Sequence, residues 1–292
     1  MPELPEVETI RRDLLAKVVN KQVVSVEILS NKSAHNPVAF FRRNLIGYSF
    51  FDIKRRGKLL IFNISSDKHL LIHLKMTGQL IYVDKKTRLA GGHKLNEGDF
   101  VQAVGGELPN RFTRVVIEFK DKSKLFFNDM RKFGYLKIVD ETELSRLLNN
   151  NYGIEPLTDD YTWNNFKDIF KNRRTSVKAL LLNQKVIAGL GNIYVDEALF
   201  LSGVRPNRKT NSLKEVEKKI LFRMIRQVIK RAIDYRGTTF KDYTDSEGKK
   251  GNFSKLLKVY GREGEECCKC KRGIKKIRLA GRGTHYCSYC QK

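Results

Sequence analysis

The sequence predicts an α+β chain of several domains: an N-terminal β-sandwich or barrel, a helical domain, and a C-terminal zinc-finger β-hairpin. Three observations carry this. Short β runs fill Val23 to Val139, apolar residues recur at helical spacing beyond Asp140, and two CxxC pairs stand in the last 26 residues. With 292 residues, 41% of them hydrophobic, the chain is long enough for one large or two ordinary domains with real cores. The expected organisation is a β domain with an N-terminal helix over 1–140, a linker over 141–160, a helical domain over 161–255 and a four-cysteine module over 256–292.

In chain order, the opening "MPELPEVETIRRDLL" reads as a helix start: Pro5 suits a first helical turn, and Glu6 and Glu8 complement the positive end of the helix dipole. "VVSVEIL", "LLIFNI", "HLLIHLKM", "RVVIEF", "KLFF" and "YLKIV" follow as strands, divided by Gly, Asn and Asp turns. Between them the glycine-rich, polar stretch over 85–110 reads as a long loop. Beyond Asp140, "TWNNFKDIFKN", "TSVKALLLNQ" and "NIYVDEALFLSGV" read as helices. The long run to Gly237 repeats apolar residues at Ile220, Met224, Ile225, Val228, Ile229 and Ile233. A polar stretch, "TTFKDYTDSEGKKGNF", separates it from the cysteine-bearing tail.

Charge points to the partner. There are 57 Lys and Arg against 32 Asp and Glu, a formal charge of +25, and the basic residues recur along the whole length. So large an imbalance carries self-repulsion, and a polyanion is its natural counterpart. No apolar run approaches the roughly 20 residues of a membrane span, and the N-terminus is acidic at Glu3, Glu6 and Glu8 where a signal peptide is basic and then apolar. The expectation is a cytoplasmic, nucleoid-associated monomer.

Cys267 and Cys270, then sixteen residues, then Cys287 and Cys290 is zinc spacing, because two knuckles can close one tetrahedral shell. Four thiolates leave no water position, so a single Zn2+ here is expected to be structural. Cys268 is left over, and a redox dithiol pair lacks the surrounding βαβ pattern. A hairpin this short cannot bury a core, so metal is expected to keep its tip, with Arg282 between two glycines, rigid against a phosphate or base edge. Upstream, Gly189, Gly191 and Asn192 precede a helix whose N-terminus could receive a phosphate, with Arg173, Arg174 and Lys178 one helix earlier. An ordinary turn between helices reads the same way.

The opening also carries possible chemistry. Removal of Met1 would expose the secondary amine of Pro2. An α-amino group titrates near 7.7–8.0 against about 10.4 for lysine, so roughly a tenth or more of such amines are free base at neutral pH. Attack of a secondary amine on a sugar C1′ gives a cationic iminium that acidifies neighbouring C–H bonds, and Glu3 is the nearest carboxyl group for proton transfer. The helix-start reading and the nucleophile reading can both hold.

Six blocks together tip the balance toward the nucleophile. "PELPEVET", "RRGKLLIF" (55–62), "HLKMTGQL" (73–80), "DMRKFG" (129–134), "AGLGNIYVDEALF" (188–200) and "AGRGTHYCSYCQK" (280–292) resemble, nearly collinearly from end to end, the formamidopyrimidine-DNA glycosylase family. The resemblance implies a β-sandwich joined to a helix-two-turn-helix domain and a zinc finger. It implies a bifunctional glycosylase and abasic-site lyase of base excision repair, acting on double-stranded DNA that contains oxidised purines such as 8-oxoguanine and formamidopyrimidines.

Carried over by position, it makes Pro2 the Schiff-base nucleophile and Glu3 the proton donor and acceptor. Lys58 becomes the lysine that assists β-elimination and contacts phosphate, and Arg282 the finger arginine tied to δ-elimination. Arg173, Lys178 and Asn192 fall at or near DNA-backbone positions. Met76, Arg131 and Phe133 match the residues that fill the gap left by a flipped base, where apolar surface offsets lost stacking and arginine can hydrogen-bond the orphaned base. Met76 and Phe133 taken singly read as core residues, and Lys58 as a strand-edge lysine. The stretch 238–253 lies where the family carries a base-capping loop.

One departure concerns phosphate contact. Phe112 stands where a phosphate-contacting histidine is expected, with Arg111 or Arg114 as replacements. Rival readings are an endonuclease-VIII-like enzyme for oxidised pyrimidines, a non-catalytic damaged-DNA-binding protein, and RNA binding through the finger.

Overall fold

The computed structural model describes residues 1–92, 107–238 and 253–292. The middle of the glycine-rich stretch and nearly all of the expected base-capping loop lie outside the described residues. The chain divides into two compact units, one of residues 1–148 and 236–252, the other of 149–235 and 253–292.

The first unit opens with helix α1 (Leu4–Val18) and strand β1 (Val23–Ile28), followed by helix α2 (Val38–Leu45) and strands β2 (Phe50–Arg56), β3 (Leu59–Ile64), β4 (Lys68–His73), β5 (Gly78–Val83), β6 (Arg88–Gly92), β7 (Thr113–Phe119), β8 (Lys124–Asp129) and β9 (Tyr135–Val139). They form two antiparallel sheets, ordered β1-β7-β8-β5-β6 and β2-β3-β4-β9. β3 is buried at every position, whereas β2 buries only Phe50 and Ile53 fully. That difference distinguishes a central strand from an edge strand. Val7, Ile10, Leu14 and Val18, at helical spacing on α1, join Phe50, Phe62, Phe119 and Phe127 in one apolar core. Phe50 meets Phe62 and Phe119 edge to face at 5.2 and 6.3 Å, and each such fully buried side chain contributes roughly 1.5–3 kcal/mol.

The start of the glycine-rich stretch is a strand, not loop. β6 pairs with β5 from Val83↔Arg88 to Gln79↔Gly92, across a turn in which Asp84 Oδ1 accepts the amides of Lys86 and Thr87. Local hydrogen bonding by an aspartate side chain makes that turn. Within 141–160, helix α3 (Glu141–Asn151) occupies the first half, begun by the amide of Glu143 on Asp140 Oδ1.

The second unit carries helices α4 (Trp163–Asp168), α5 (Val177–Leu182), α6 (Asn192–Leu201) and α7 (Glu215–Asp234), then a hairpin of β10 (Lys275–Leu279) and β11 (Arg282–Tyr286). Thr162 and Ser176 cap α4 and α5 through their hydroxyls. Helix α6 is apolar nearly all round and lies buried. Its Glu197 accepts the amides of Lys258, Val259 and Tyr260 in succession, fixing the chain that leads into the hairpin. Burial raises the Glu197 carboxyl, against the lowering by those amides. Helix α7 ends at Asp234, followed by two left-handed residues, Arg236 (φ +60°) and Gly237 (φ +78°), which stop it.

Candidate active site and nucleic-acid interface

Pro2 and Glu3 immediately precede α1, and both are buried. The Glu3 amide donates to Glu6 Oε2 at 2.9 Å, half of a reciprocal capping arrangement that orients the chain terminus. The second oxygen of Glu6 accepts both the amide and the hydroxyl of Thr238, at 2.8 and 3.0 Å. Gly237 beside it has φ +78°, a left-handed conformation that favours glycine, and a Cβ there would stand 2.6 Å from Glu6 Oε1 and push that carboxylate aside.

Lys58, 6% exposed, sits with Gly57 (φ +57°) in the turn between β2 and β3. Arg55 shapes that turn, its Nη1 donating to the Gly57 carbonyl at 2.9 Å while its Nε reaches Glu8 Oε2 at 3.0 Å. Glu8 lies on α1, so this ion pair ties the helix that begins after Glu3 to the turn that carries Lys58. Arg11 and Arg12 also bind Glu8. Burial alone would raise the Glu8 carboxyl, but the Arg11 hydrogen bond, the Arg55 charge and the Arg12 hydrogen bond hold it down at about 2. His73 is pushed down to about 3 by burial and by the charges of Lys75 and Lys58. It is therefore a neutral acceptor, taking the Lys75 amide on Nδ1 at 3.0 Å.

Met76 is half-buried in the turn between β4 and β5, closed by the Gly78 amide on the Leu74 carbonyl at 2.9 Å. A Cβ on Gly78 would lie 2.4 Å from that carbonyl oxygen, so the turn requires glycine. Arg131 and Phe133 project from the turn after β8, both exposed, with the Arg131 guanidinium 4.6 Å from the centroid of the Phe133 ring. Phe133 is 53% exposed; a large ring at the surface, partly covered by a cation, is suited to stacking on a partner.

In the second unit, Lys178 is fully buried and paired with the equally buried Asp196 at 2.6 Å. The other oxygen of Asp196 accepts the His285 amide at 2.9 Å, and Asn192 Nδ2 donates to the Gly283 carbonyl at 2.9 Å. Lys178 and the N-terminal half of α6 thus hold β11 directly behind the hairpin tip, where Arg282 is exposed. Arg173 and Arg174 are exposed ahead of α5.

The Sγ atoms of Cys267, Cys270, Cys287 and Cys290 lie within 4.8 Å of one another. Cys267 and Cys290 are 3.9 Å apart, and Cys270 and Cys287 3.5 Å. A tetrahedron with Zn–S bonds of about 2.3 Å has S···S edges of about 3.8 Å, so the four can hold a metal ion. The amides of Lys269 and Cys290 point at Cys267 and Cys287 sulfur, at 3.4 and 3.5 Å, as donors that would steady thiolates. Cys268 is exposed and outside the cluster.

Phe112, in place of the expected histidine, packs with Ile81, Val116 and Phe126, and Arg111 lies over its ring at 4.7 Å. Arg114 is buried, and its Nε donates to the Asp129 carbonyl at 2.8 Å. Sequence reasoning passed over Glu8 with Arg55, Asp129 with Thr77, and Asp196. Each is a buried polar partner whose meaning depends on a residue distant in sequence.

Residues 1–136 match the formamidopyrimidine-DNA glycosylase N-terminal domain and residues 152–244 the formamidopyrimidine-DNA glycosylase H2TH domain. A formamidopyrimidine-DNA glycosylase of Carboxydothermus hydrogenoformans is 39% identical over 293 residues, covering all of both chains. One of Rickettsia africae is 34% identical over all of this chain and 99% of its own. A Lactococcus lactis Fpg mutant, solved in complex with DNA containing Fapy-dG, superposes with a TM-score of 0.86 at 32% identity over all of both chains. The Lactococcus lactis Fpg solved with abasic-site DNA gives 0.85 at 32% identity over 99% of each. Among the described residues no helix is long and apolar enough to cross a membrane. Two matched domain models and full-length identity on this scale have one meaning: the chain belongs to the formamidopyrimidine-DNA glycosylase family.

Proposed function

We propose that the chain is a DNA glycosylase and abasic-site lyase that removes oxidised purines, 8-oxoguanine and formamidopyrimidines among them, from duplex DNA. The observation that carries this reading is the Glu8–Arg55 ion pair at 3.0 Å, which ties the helix led by Pro2 and Glu3 to the turn bearing Lys58. Damaged DNA as the substrate is supported by the relatives' names and by the Lactococcus lactis complexes.

The chemistry follows from the groups present. With Met1 removed, the Pro2 amine attacks C1′ and gives up its proton as the bond to the base breaks, the departing base taking a proton with Glu3 as donor; the C1′–O4′ bond then opens, O4′ taking a proton, and leaves C1′ doubly bonded to the proline nitrogen. The resulting iminium acidifies C2′–H. Loss of that proton expels the 3′ phosphate, a second elimination expels the 5′ phosphate, and water releases the sugar remnant from Pro2. Lys58 assists the first elimination, its ammonium balancing phosphate charge, and Arg282 holds phosphate for the second. Asn192 and Arg173 contact the DNA backbone, and Lys178 acts behind them by seating β11. Arg111, the more exposed of the two arginines flanking Phe112, takes the phosphate contact of the missing histidine. Cys267, Cys270, Cys287 and Cys290 would hold one structural Zn2+, which supplies rigidity to the hairpin and no step of the reaction.

Borohydride trapping on a duplex with one 8-oxoguanine, followed by peptide mass analysis, tests this. A crosslink at Pro2 is expected. Tight binding with a free proline and no crosslink would refute it, and trapping on thymine glycol in preference would move the substrate to oxidised pyrimidines.

A further inference from the structure

We propose that Asp129 is the positioning residue that fixes the Met76 turn and the Arg131–Phe133 turn in one register, so that the three side chains enter a duplex as a unit. The proposal rests on the gap-filling reading of those side chains.

Asp129 ends β8 and is 1% exposed. Its Oδ1 accepts the Thr77 hydroxyl and the Arg131 amide, the latter at 3.1 Å, and its Oδ2 accepts the Gly134 amide at 2.7 Å. The Thr77 hydroxyl in turn accepts the Arg131 amide at 3.0 Å. One carboxylate and one hydroxyl therefore clamp both ends of the second turn to the residue that follows Met76 in the first.

The clamp is itself fixed. Gly78 and Asp129 are register partners across β5 and β8, and Arg114 Nε holds the Asp129 carbonyl at 2.8 Å. Gly134 has no space for a side chain, since a Cβ would meet the Phe127 ring at 2.8 Å and the His73 carbonyl at 3.0 Å. Each turn also carries a left-handed lysine, Lys75 at φ +49° and Lys132 at φ +56°, a conformation that persists where surroundings over-determine it. Side chains that must be inserted between bases gain from such preorganisation, because ordering them during insertion would add to the barrier. Met76, Arg131 and Phe133 make none of these bonds through their own side chains, so the clamp leaves all three tips available to the DNA.

The test uses a duplex with one 8-oxoguanine beside 2-aminopurine, whose fluorescence reports unstacking, under single-turnover conditions. Thr77→Val keeps the shape and removes the hydroxyl; Asp129→Asn removes the charge and one acceptor. Both are expected to slow the fluorescence step and excision about tenfold. Nicking of a preformed abasic site in single-stranded DNA, where nothing must be unstacked, should stay within about twofold, and Thr77→Ser should restore the duplex rate. Wild-type duplex rates in Thr77→Val, or equal losses on duplex and single strand, would overturn the proposal. Phe133→Ala separates the two readings. If it slows unstacking while Thr77→Val does not, only the clamp fails; if it leaves unstacking unchanged, the gap-filling reading fails and the clamp with it.

Discussion

Replacing Asp196 with asparagine should loosen the hairpin in a way that pH reveals. Lys178 and Asp196 are both fully buried and 2.6 Å apart, so the variant leaves an ammonium group in a dry interior. The group can escape that cost by releasing its proton. Doing so at pH 7 costs a lysine of ordinary pKa about 4–5 kcal/mol, at 1.36 kcal/mol per unit below about 10.4. That figure is a ceiling, and it agrees with the roughly 3–5 kcal/mol lost when one partner of a buried pair is removed. For a unit of this size it corresponds to a fall in Tm of about 10 °C or more.

The sign of the pH dependence follows. In the variant the folded lysine has a pKa below its unfolded value, so the unfolded state binds more protons and stability rises with pH. The deficit should shrink toward about 2 kcal/mol at pH 9. Denaturant unfolding at pH 7 and 9, with hydrogen exchange at the His285 amide, measures this. The Lys178→Met, Asp196→Leu double variant should recover most of the loss. A deficit under about 1 kcal/mol, or one unchanged with pH, would refute the reasoning.

Two further outcomes are expected. Glu8 is held at about 2 in the folded chain, below its unfolded value, so its contribution is present above about pH 4.5 and disappears as pH falls toward 2. Glu8→Gln should cost on the order of 1–3 kcal/mol at pH 7, and the difference from wild type should vanish in acid unfolding titrations. With metal bound, a thiol reagent should label Cys268 alone; chelation should release one zinc per chain, expose all five thiols and abolish protection of the hairpin amides.

The legible parts of the fold were those with a local signature. β3 and β9 occupy the runs "LLIFNI" and "YLKIV", and α7 follows its apolar repeat. β2 escaped notice because Asp52, Lys54, Arg55 and Arg56 break up its apolar residues; the strand exists because Phe50 and Ile53 reach the core. β5 follows a tight turn inside a block whose interest lay in Met76, and its apolar run "LIYV" was the available signal. In the site, the four cysteines were readable from spacing because a metal shell imposes it. Lys178 reads from its sequence position as a cation at the DNA backbone, and only the fold brings Asp196 within reach of it. Charge type is written in a sequence; the partner that neutralises it is not.

The strap of residues 236–238 bears on how the protein can be taken apart. The chain leaves the first unit after 148 and returns to it at 236. There Arg236 pairs with Asp13 at 2.6 Å, and Thr238 binds Glu6. A fragment cut at 148 would retain both carboxylates, Glu6 and Asp13 on the helix that leads from Glu3, and lose their partners. The two units are thus interleaved pieces of a single design, not cassettes that can be exchanged between relatives at a single junction. A chimera of the first unit must take residues 236–238 from the same parent as α1.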